Sequence, residues 1–240
     1  MDRLTNAEEL LDGPLDDPAA LAGNLRDLRR VNRLLGGVRL SRLAIERLLA
    51  AAPANLDARP VSIVDVGTGG ADIPVALLAD ARRKNRPLQV VAVDARPEVL
   101  EAARAVRPAI DRIEGLELCV ADAGSLPFPD RAFDIAHASL LIHHLEPDSA
   151  VAILVEMARV ARLGIVVNDL NRARAHWVWA WLIGHLLTRN RYFRYDGPLS
   201  VRRAYTPREM RELLGRAGLR PVGRFGGFIG HRYAFAAIRR

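Results

Sequence analysis

The sequence predicts an α/β fold built on a mostly parallel sheet, and three features carry that reading. Val61 to Val66 is rich in β-branched apolar residues, as a strand buried on both faces should be, and it runs into the glycine cluster Gly67-Thr68-Gly69-Gly70. A helical run from Ile73 to Leu78 then leads to a second strand, Leu88 to Asp94; a crossover of this length forces parallel pairing, right-handed, with both strand ends on one side. Acids stand at or just past the ends of three successive apolar runs: Asp65, Asp94 and Asp122.

Composition bounds the reading. A chain of 240 residues is long enough for one large α/β domain with a substantial core. The single Cys119 excludes an internal disulfide, gives no metal-ligand spacing and suits a reducing, cytoplasmic setting. The N-terminus lacks a signal-peptide profile, and no apolar run approaches the roughly 18 to 20 residues of a membrane span. The net charge of +7 permits an acidic partner, but it is carried almost wholly by arginine in an Ala- and Leu-rich chain, a compositional bias, and nucleic acid is not the favoured partner.

Residues 1–24, with Gly13-Pro14 and Asp17-Pro18, read as a loosely ordered arm or short helices. Leu25, Leu28, Val31, Leu34 and Leu35 are spaced for a helix from Asn24, stopped by Gly36-Gly37. Ser41 reads as the N-cap of a second helix running through Ala52 and closed by Pro53. Residues 1–56 are thus expected to form a helical N-terminal cap that covers a sheet edge or closes over substrate.

After the second strand, Pro97 to Val106 reads as a helix and Leu116 to Val120 as the third strand. Asp134 to Ser139 reads as the fourth, Ser149 to Val160 as a helix, and Gly164 to Leu170 as the fifth. His176 to Leu187 is almost continuously apolar yet too short to span a bilayer, which leaves a lid, a dimer contact or a peripheral membrane contact through 176–187. Asp196-Gly197-Pro198 is expected to break the chain. Thr206-Pro207-Arg208-Glu209 is a capping box opening a helix that ends near Gly215 or Gly218, and Arg220 to Phe225 with Arg232 to Ile238 make a final hairpin.

A dinucleotide fingerprint would put its third glycine at position 72, where this chain has Asp72, an anion where a pyrophosphate would sit. The stretch 61–72 instead resembles motif I of the class I S-adenosylmethionine-dependent methyltransferases. Leu126-Pro127-Phe128 through Phe133-Asp134 matches that family's L-P-F-x-D-x-x-F-D pattern, and His143-His144-Leu145 resembles the small-molecule enzymes of the ubiquinone and menaquinone biosynthesis type. The matching stretch covers about residues 61–170.

The resemblance implies a Rossmann-like seven-stranded sheet of order 3-2-1-4-5-7-6, the last strand antiparallel, with helices on both faces. It implies a domain over 57–240 with a helical lid insertion at about 172–205. S-adenosylmethionine would be held by Asp65, Gly67, Thr68, Gly69 and Gly70, by Asp94 and Ala95 at the ribose, by Asp122 and Ala123 at the adenine, and by Ser139.

Methyl transfer from a sulfonium is an in-line displacement whose thioether leaving group needs no acid, so the protein mainly aligns the reactants in a dry pocket. A base is needed only for a hydroxyl or an acidic carbon. His143 or His144 is the candidate, with at most one pointing inward because adjacent helical residues diverge by about 100°. His137, inside a strand, reads as a core residue. No acid follows strand four at Ala138-Ser139-Leu140, so no metal is expected. The motifs of DNA amino- and cytosine methylation are missing as well.

The expected acceptor is therefore a small aromatic, quinone-like or polyketide-like molecule, methylated on O or C. Arg29, Asn32, Asp169, Trp177, Trp181, Tyr192 and Tyr205 are expected to line its pocket. An RNA or protein methyltransferase docking through arginines, and a non-catalytic cofactor-binding or membrane-associated module, stay open. So does the choice between monomer and homodimer.

Overall fold

The computed structural model describes residues 1–52, 59–188, 190–227 and 229–240. Pro53, expected to close the second helix, and Arg189, beside the apolar run, lie outside them. Seven strands form one sheet of order β3-β2-β1-β4-β5-β7-β6, as expected, with β7 antiparallel to both neighbours and the other pairings parallel. They are β1 Val61–Val66, β2 Leu88–Asp94, β3 Leu116–Val120, β4 Phe133–Ser139, β5 Ala161–Leu170, β6 Leu219–Gly226 and β7 Arg232–Arg239. The helices are α1 Pro18–Leu34, α2 Gly37–Leu49, α3 Asp72–Arg83, α4 Pro97–Val106, α5 Pro147–Val160, α6 Arg174–Leu187, α7 Arg191–Arg203 and α8 Pro207–Arg216.

Two apolar layers sandwich the sheet. On one face, Leu40, Ala44, Ile45 and Leu48 of α2 and Ile73 and Leu77 of α3 pack on Ile63, Ile135, Val166 and Ala236. That layer continues through α1 and α4 over Ala92. On the other face, Leu154 and Met157 of α5 and Met210 and Leu214 of α8 pack on Val64, Ala136, Val167 and Phe235. Helix α2 therefore lies on the face of the sheet rather than along its edge, as part of the core.

Four elements depart from expectation. The Asp17 side chain accepts the Ala20 N–H at 2.8 Å with Pro18 in the first turn, so α1 starts six residues early. Gly36, at φ +81°, makes the turn by itself and α2 begins at once, which leaves Ser41 inside the helix, fully buried, and not at its cap. Pro198 sits within α7 instead of breaking it. Buried Tyr192, Phe193 and Val201 anchor both halves, and the Asp196 carboxylate accepts the N–H groups of Leu10 and Leu11 at 2.7 and 3.2 Å.

Those bonds also fix the N-terminal arm, the fourth departure. Arg3 donates to Glu146 and to the carbonyls of Arg203 and Leu145, and the Leu4 N–H reaches the Arg202 carbonyl. The arm crosses the carboxyl end of the sheet as an ordered strap. No helix among the described residues is long and apolar enough to cross a membrane.

Candidate active site

The carboxyl edge of the sheet collects the residues that the motifs singled out. As β1 ends, Gly67 at φ +68°, Gly69 at +56° and Ala71 at +50° turn the chain in the left-handed region, and α3 starts at Asp72. A Cβ on Gly67 would lie 2.9 Å from Leu141 Cδ1, and Leu25 of α1 covers Gly70. The loop is therefore roofed by apolar side chains. Its Thr68 N–H is tied to the Val93 carbonyl of β2 at 2.8 Å.

Asp65 faces inward. One oxygen accepts the Thr68 hydroxyl at 2.6 Å and the other pairs with His137 Nδ1 at 2.5 Å. Asp65 therefore sets the shape of the loop more directly than it faces a ligand. Asp94 accepts the Gly69 N–H at 3.0 Å and the Arg96 N–H at 3.2 Å. Burial pushes its carboxyl above the ordinary range, with those two donors opposing. The Ala121 N–H bonds the Asp94 carbonyl at 3.0 Å, which sets the Asp122-Ala123 turn beside it; Asp122 and Ala95 are exposed, and Asp122 accepts the Gly124 N–H at 2.8 Å.

Behind the loop lies a buried polar layer that the sequence did not announce. His137 Nε2 meets Ser41 Oγ at 2.7 Å, and Asn168 Nδ2 donates to Ser41 Oγ at 2.7 Å and to the Gly37 carbonyl at 2.8 Å. Arg232, 2% exposed at the start of β7, donates to Asn168 Oδ1 at 2.6 Å, Asn32 Oδ1 at 2.5 Å and Ser139 Oγ at 2.5 Å. Asn32 in turn donates to Asp72 at 3.1 Å. Burial pushes the Arg232 guanidinium down to about 10, against the pull of Asp169 and Asp72. Asn32, expected to line the acceptor pocket, and Ser139, expected to hold the cofactor, thus belong to a framework instead, and His137, expected to be a core residue, is one.

The short 3-10 turn Ile142–His144, after β4, carries the candidate base. His143 is buried; its Nδ1 pairs with Asp169 Oδ1 at 2.6 Å, and its backbone N–H donates to Asp169 Oδ2 at 3.1 Å. Asp169, expected to meet substrate, is instead the buried partner of His143. Burial pushes its carboxyl up, but His143 and the Leu170 N–H outweigh this and hold it below the ordinary range. With Nδ1 committed to a carboxylate, the free lone pair of a neutral His143 is on Nε2.

His144 points the same way, contrary to the expected divergence. The N-terminal strap supplies partners for both rings: Asp12 pairs with His144 Nδ1 at 2.9 Å, and the Nε2 atoms of His143 and His144 lie 3.9 and 3.8 Å from Glu9 oxygens. The ring centroids are 4.3 Å apart. Burial pushes Glu9 up to about 7, and its Oε1 has no hydrogen-bond partner among the described residues. Glu9, His143 and His144 offer ligand atoms within 4.8 Å of one another, a spacing a metal ion could use. Arg203 already brings positive charge there, 2.6 Å from Asp12 and 3.6 Å from Glu9.

The remaining expected lining residues are dispersed. Tyr192 is buried against α1 and α4. Tyr205 donates to the Leu145 carbonyl at 2.8 Å beneath the Arg3 guanidinium. Arg29 is exposed, and Trp177 and Trp181 face outward on α6, so that helix does not act as a lid in this conformation. Glu9, Asp12 and Arg232 are the residues that sequence reasoning missed. The only signal was acids in an arm otherwise rich in turn residues, and an arginine at the head of an apolar strand.

Residues 63–164 match the family model described as a methyltransferase domain. No curated protein matches the sequence. Among solved structures, the chain is similar to a SAM dependent methyltransferase from Aquifex aeolicus, at 18% identity and a TM-score of 0.61, over 92% of this chain and 97% of that one. It is also similar to human N-acetylserotonin methyltransferase in complex with SAM, at 18% identity and a TM-score of 0.65, over 97% of this chain and 59% of that one. The citrinin polyketide synthase CMeT domain aligns at 15% identity and a TM-score of 0.59, over 82% of this chain and 51% of that one. The chain thus spans nearly all of the Aquifex protein and a little over half of the other two. At these identities the likeness is one of fold.

Proposed function

We propose, from the premise that the chain is a class I S-adenosylmethionine-dependent methyltransferase, that it methylates an oxygen or an acidic carbon of a small, largely apolar acceptor, aromatic, quinone-like or polyketide-like. The chain's own residues fit the cofactor. Gly67 holds a φ of +68° that side chains rarely adopt, and Asp94 and Asp122 stand at adjacent strand ends beside it. When bound, the cofactor supplies an electrophilic methyl group on a sulfonium. Asp94 is the residue for the ribose hydroxyls and the Asp122-Ala123 turn for the adenine.

The observation that carries the acceptor reading is the His143–Asp169 pair. Leu141 lies over Gly67, and His143, held by a buried carboxylate, follows two residues later on the same turn, with Glu9 of the strap 3.9 Å from its Nε2. A hydroxyl or acidic carbon presented there would lose its proton to His143 Nε2, while the bound cofactor would supply the methyl group. Asp169 positions the ring and stabilises the resulting imidazolium. An apolar acceptor suits the roof of Leu25 and Leu141.

The excess of arginine gives less support to a nucleic-acid acceptor than its number suggests. Arg3, Arg96, Arg172, Arg203 and Arg232 direct their donors into the protein's own carbonyls and side-chain acceptors. The test is incubation with methyl-labelled cofactor and a panel of phenols, quinones and β-dicarbonyl compounds. The expected result is a labelled small product that disappears in His143→Ala; label recovered only in RNA or protein would overturn the reading.

A further inference from the structure

Helix α6 turns a broad apolar surface to solvent. Trp177, Val178, Trp179, Trp181 and Leu186 are 38, 45, 54, 44 and 77% exposed. At 100° per residue these positions span about half of the circumference. One edge of this face is seated on α7 at Gly184, where a Cβ would lie 3.4 Å from Arg194 Cα. Tyr195 of α7, 57% exposed, adds a further amphipathic ring. This is a contiguous aromatic face, unlike the scattered single apolar residues that any surface carries.

Charge selects its partner. From Leu170 to Tyr195 the chain has no Asp or Glu, while it has Arg172, Arg174, Arg189, Arg191 and Arg194. Arg172 is spent on Glu209 at 2.6 Å, but Arg174 and Arg191 are exposed, one at each end of the apolar run, Arg191 at 4.0 Å from Asp17. A second copy meeting this face across a two-fold axis would bring the same arginine-flanked segment against itself, with no carboxylate within 170–195 to receive the guanidinium groups. A bilayer with anionic headgroups supplies both halves of the complement, acyl chains for the rings and negative charge for the arginines. At 14 residues, about 21 Å long, the helix is too short to cross a hydrocarbon core of roughly 30 Å but suited to lying in its interface. Tryptophan is the residue type that collects at that depth.

We propose that the exposed face of α6 docks this protein on an anionic lipid surface. The proposal does not depend on the acceptor, and its readouts need no methyl transfer.

All three tryptophans of the chain lie on this helix, so intrinsic fluorescence reports on the face directly. The full chain is mixed with vesicles of phosphatidylcholine, with and without phosphatidylglycerol, and followed by emission wavelength and co-sedimentation. The expected result is a blue shift and sedimentation with the anionic vesicles, about tenfold or more weaker on neutral ones, and weakened by salt. The double variant Trp179→Ser/Leu186→Ser, at exposed positions, should keep the wild-type circular dichroism and melting curve and lose the binding. Failure to bind anionic vesicles would overturn the proposal. So would equal binding by the double variant, or a blue shift that follows protein concentration without lipid as a dimer forms.

Discussion

Asp169 grips His143 twice, through Nδ1 at 2.6 Å and through the backbone N–H at 3.1 Å, so one carboxylate fixes both the ring and the turn that carries it. Asp169→Asn keeps the shape but removes the charge that favours the Nδ1–H tautomer and the imidazolium. The turnover number should fall by about 10²- to 10⁴-fold, while binding of S-adenosylhomocysteine changes little. An unchanged turnover number in steady-state kinetics would remove the base from the mechanism.

Arg232 holds the polar layer together. Arg232→Met strips a donor from Asn168, Asn32 and Ser139 and leaves Asp72 and Asp169 without their nearby buried cation. Denaturant unfolding should show a loss of about 3 kcal/mol or more, because three buried side-chain acceptors each lose a charged donor. A loss below about 1 kcal/mol would show that the layer is not an energetic unit.

Glu9 gives the strap a pH dependence. Its carboxyl titrates near 7 in the folded chain against 4.5 as the ordinary value, chiefly through burial, so the folded state binds the proton more tightly. The stabilising term is fully present below pH 4.5 and is lost as pH rises through 7, roughly 3 kcal/mol at most. Glu9→Gln removes the titration and keeps the length. The stability difference between wild type and variant should therefore move in the variant's favour from pH 5 to about pH 8; parallel curves would contradict the assignment.

Gly67→Ala tests the loop. The substitution meets Leu141 at 2.9 Å at a φ of +68°, so Leu141 must shift and the backbone is strained. Cofactor affinity should fall by about tenfold or more, with a stability cost of about 1–3 kcal/mol. Calorimetry and thermal melting check the two effects separately.

What was legible in the sequence was whatever rests on local pattern. The β-branched runs, the glycine turn and the strand-end acids gave the parallel strands and the loop at their carboxyl ends, because each is encoded within a few neighbouring residues; the order 3-2-1-4-5-7-6 came from the family resemblance. What was not legible depends on long-range company. Ser41 reads as a cap until Gly36 turns the chain by itself, and it then becomes the hydrogen-bond partner of His137, 96 positions away. Asp169 reads as a substrate ligand until His143 takes both of its oxygens. Glu9 and Asp12 fall in a stretch that reads as a loosely ordered arm, because nothing local says that it is strapped over the site by Asp196 and Arg203. Trp177 and Trp181 read as pocket lining because their helix is apolar all round, yet the chain leaves them outside.

The most direct measurement is titration calorimetry of S-adenosylhomocysteine into wild type and Asp94→Ala. Asp94 accepts the Gly69 N–H and stands at the end of β2, where the ribose is proposed to lie. One site per chain is predicted for wild type, weakened at least about tenfold in Asp94→Ala, as the loss of a charge-assisted hydrogen-bond acceptor requires. No heat of binding to the folded wild type, or equal affinity in the two proteins, would contradict the assignment of this sheet edge to the cofactor.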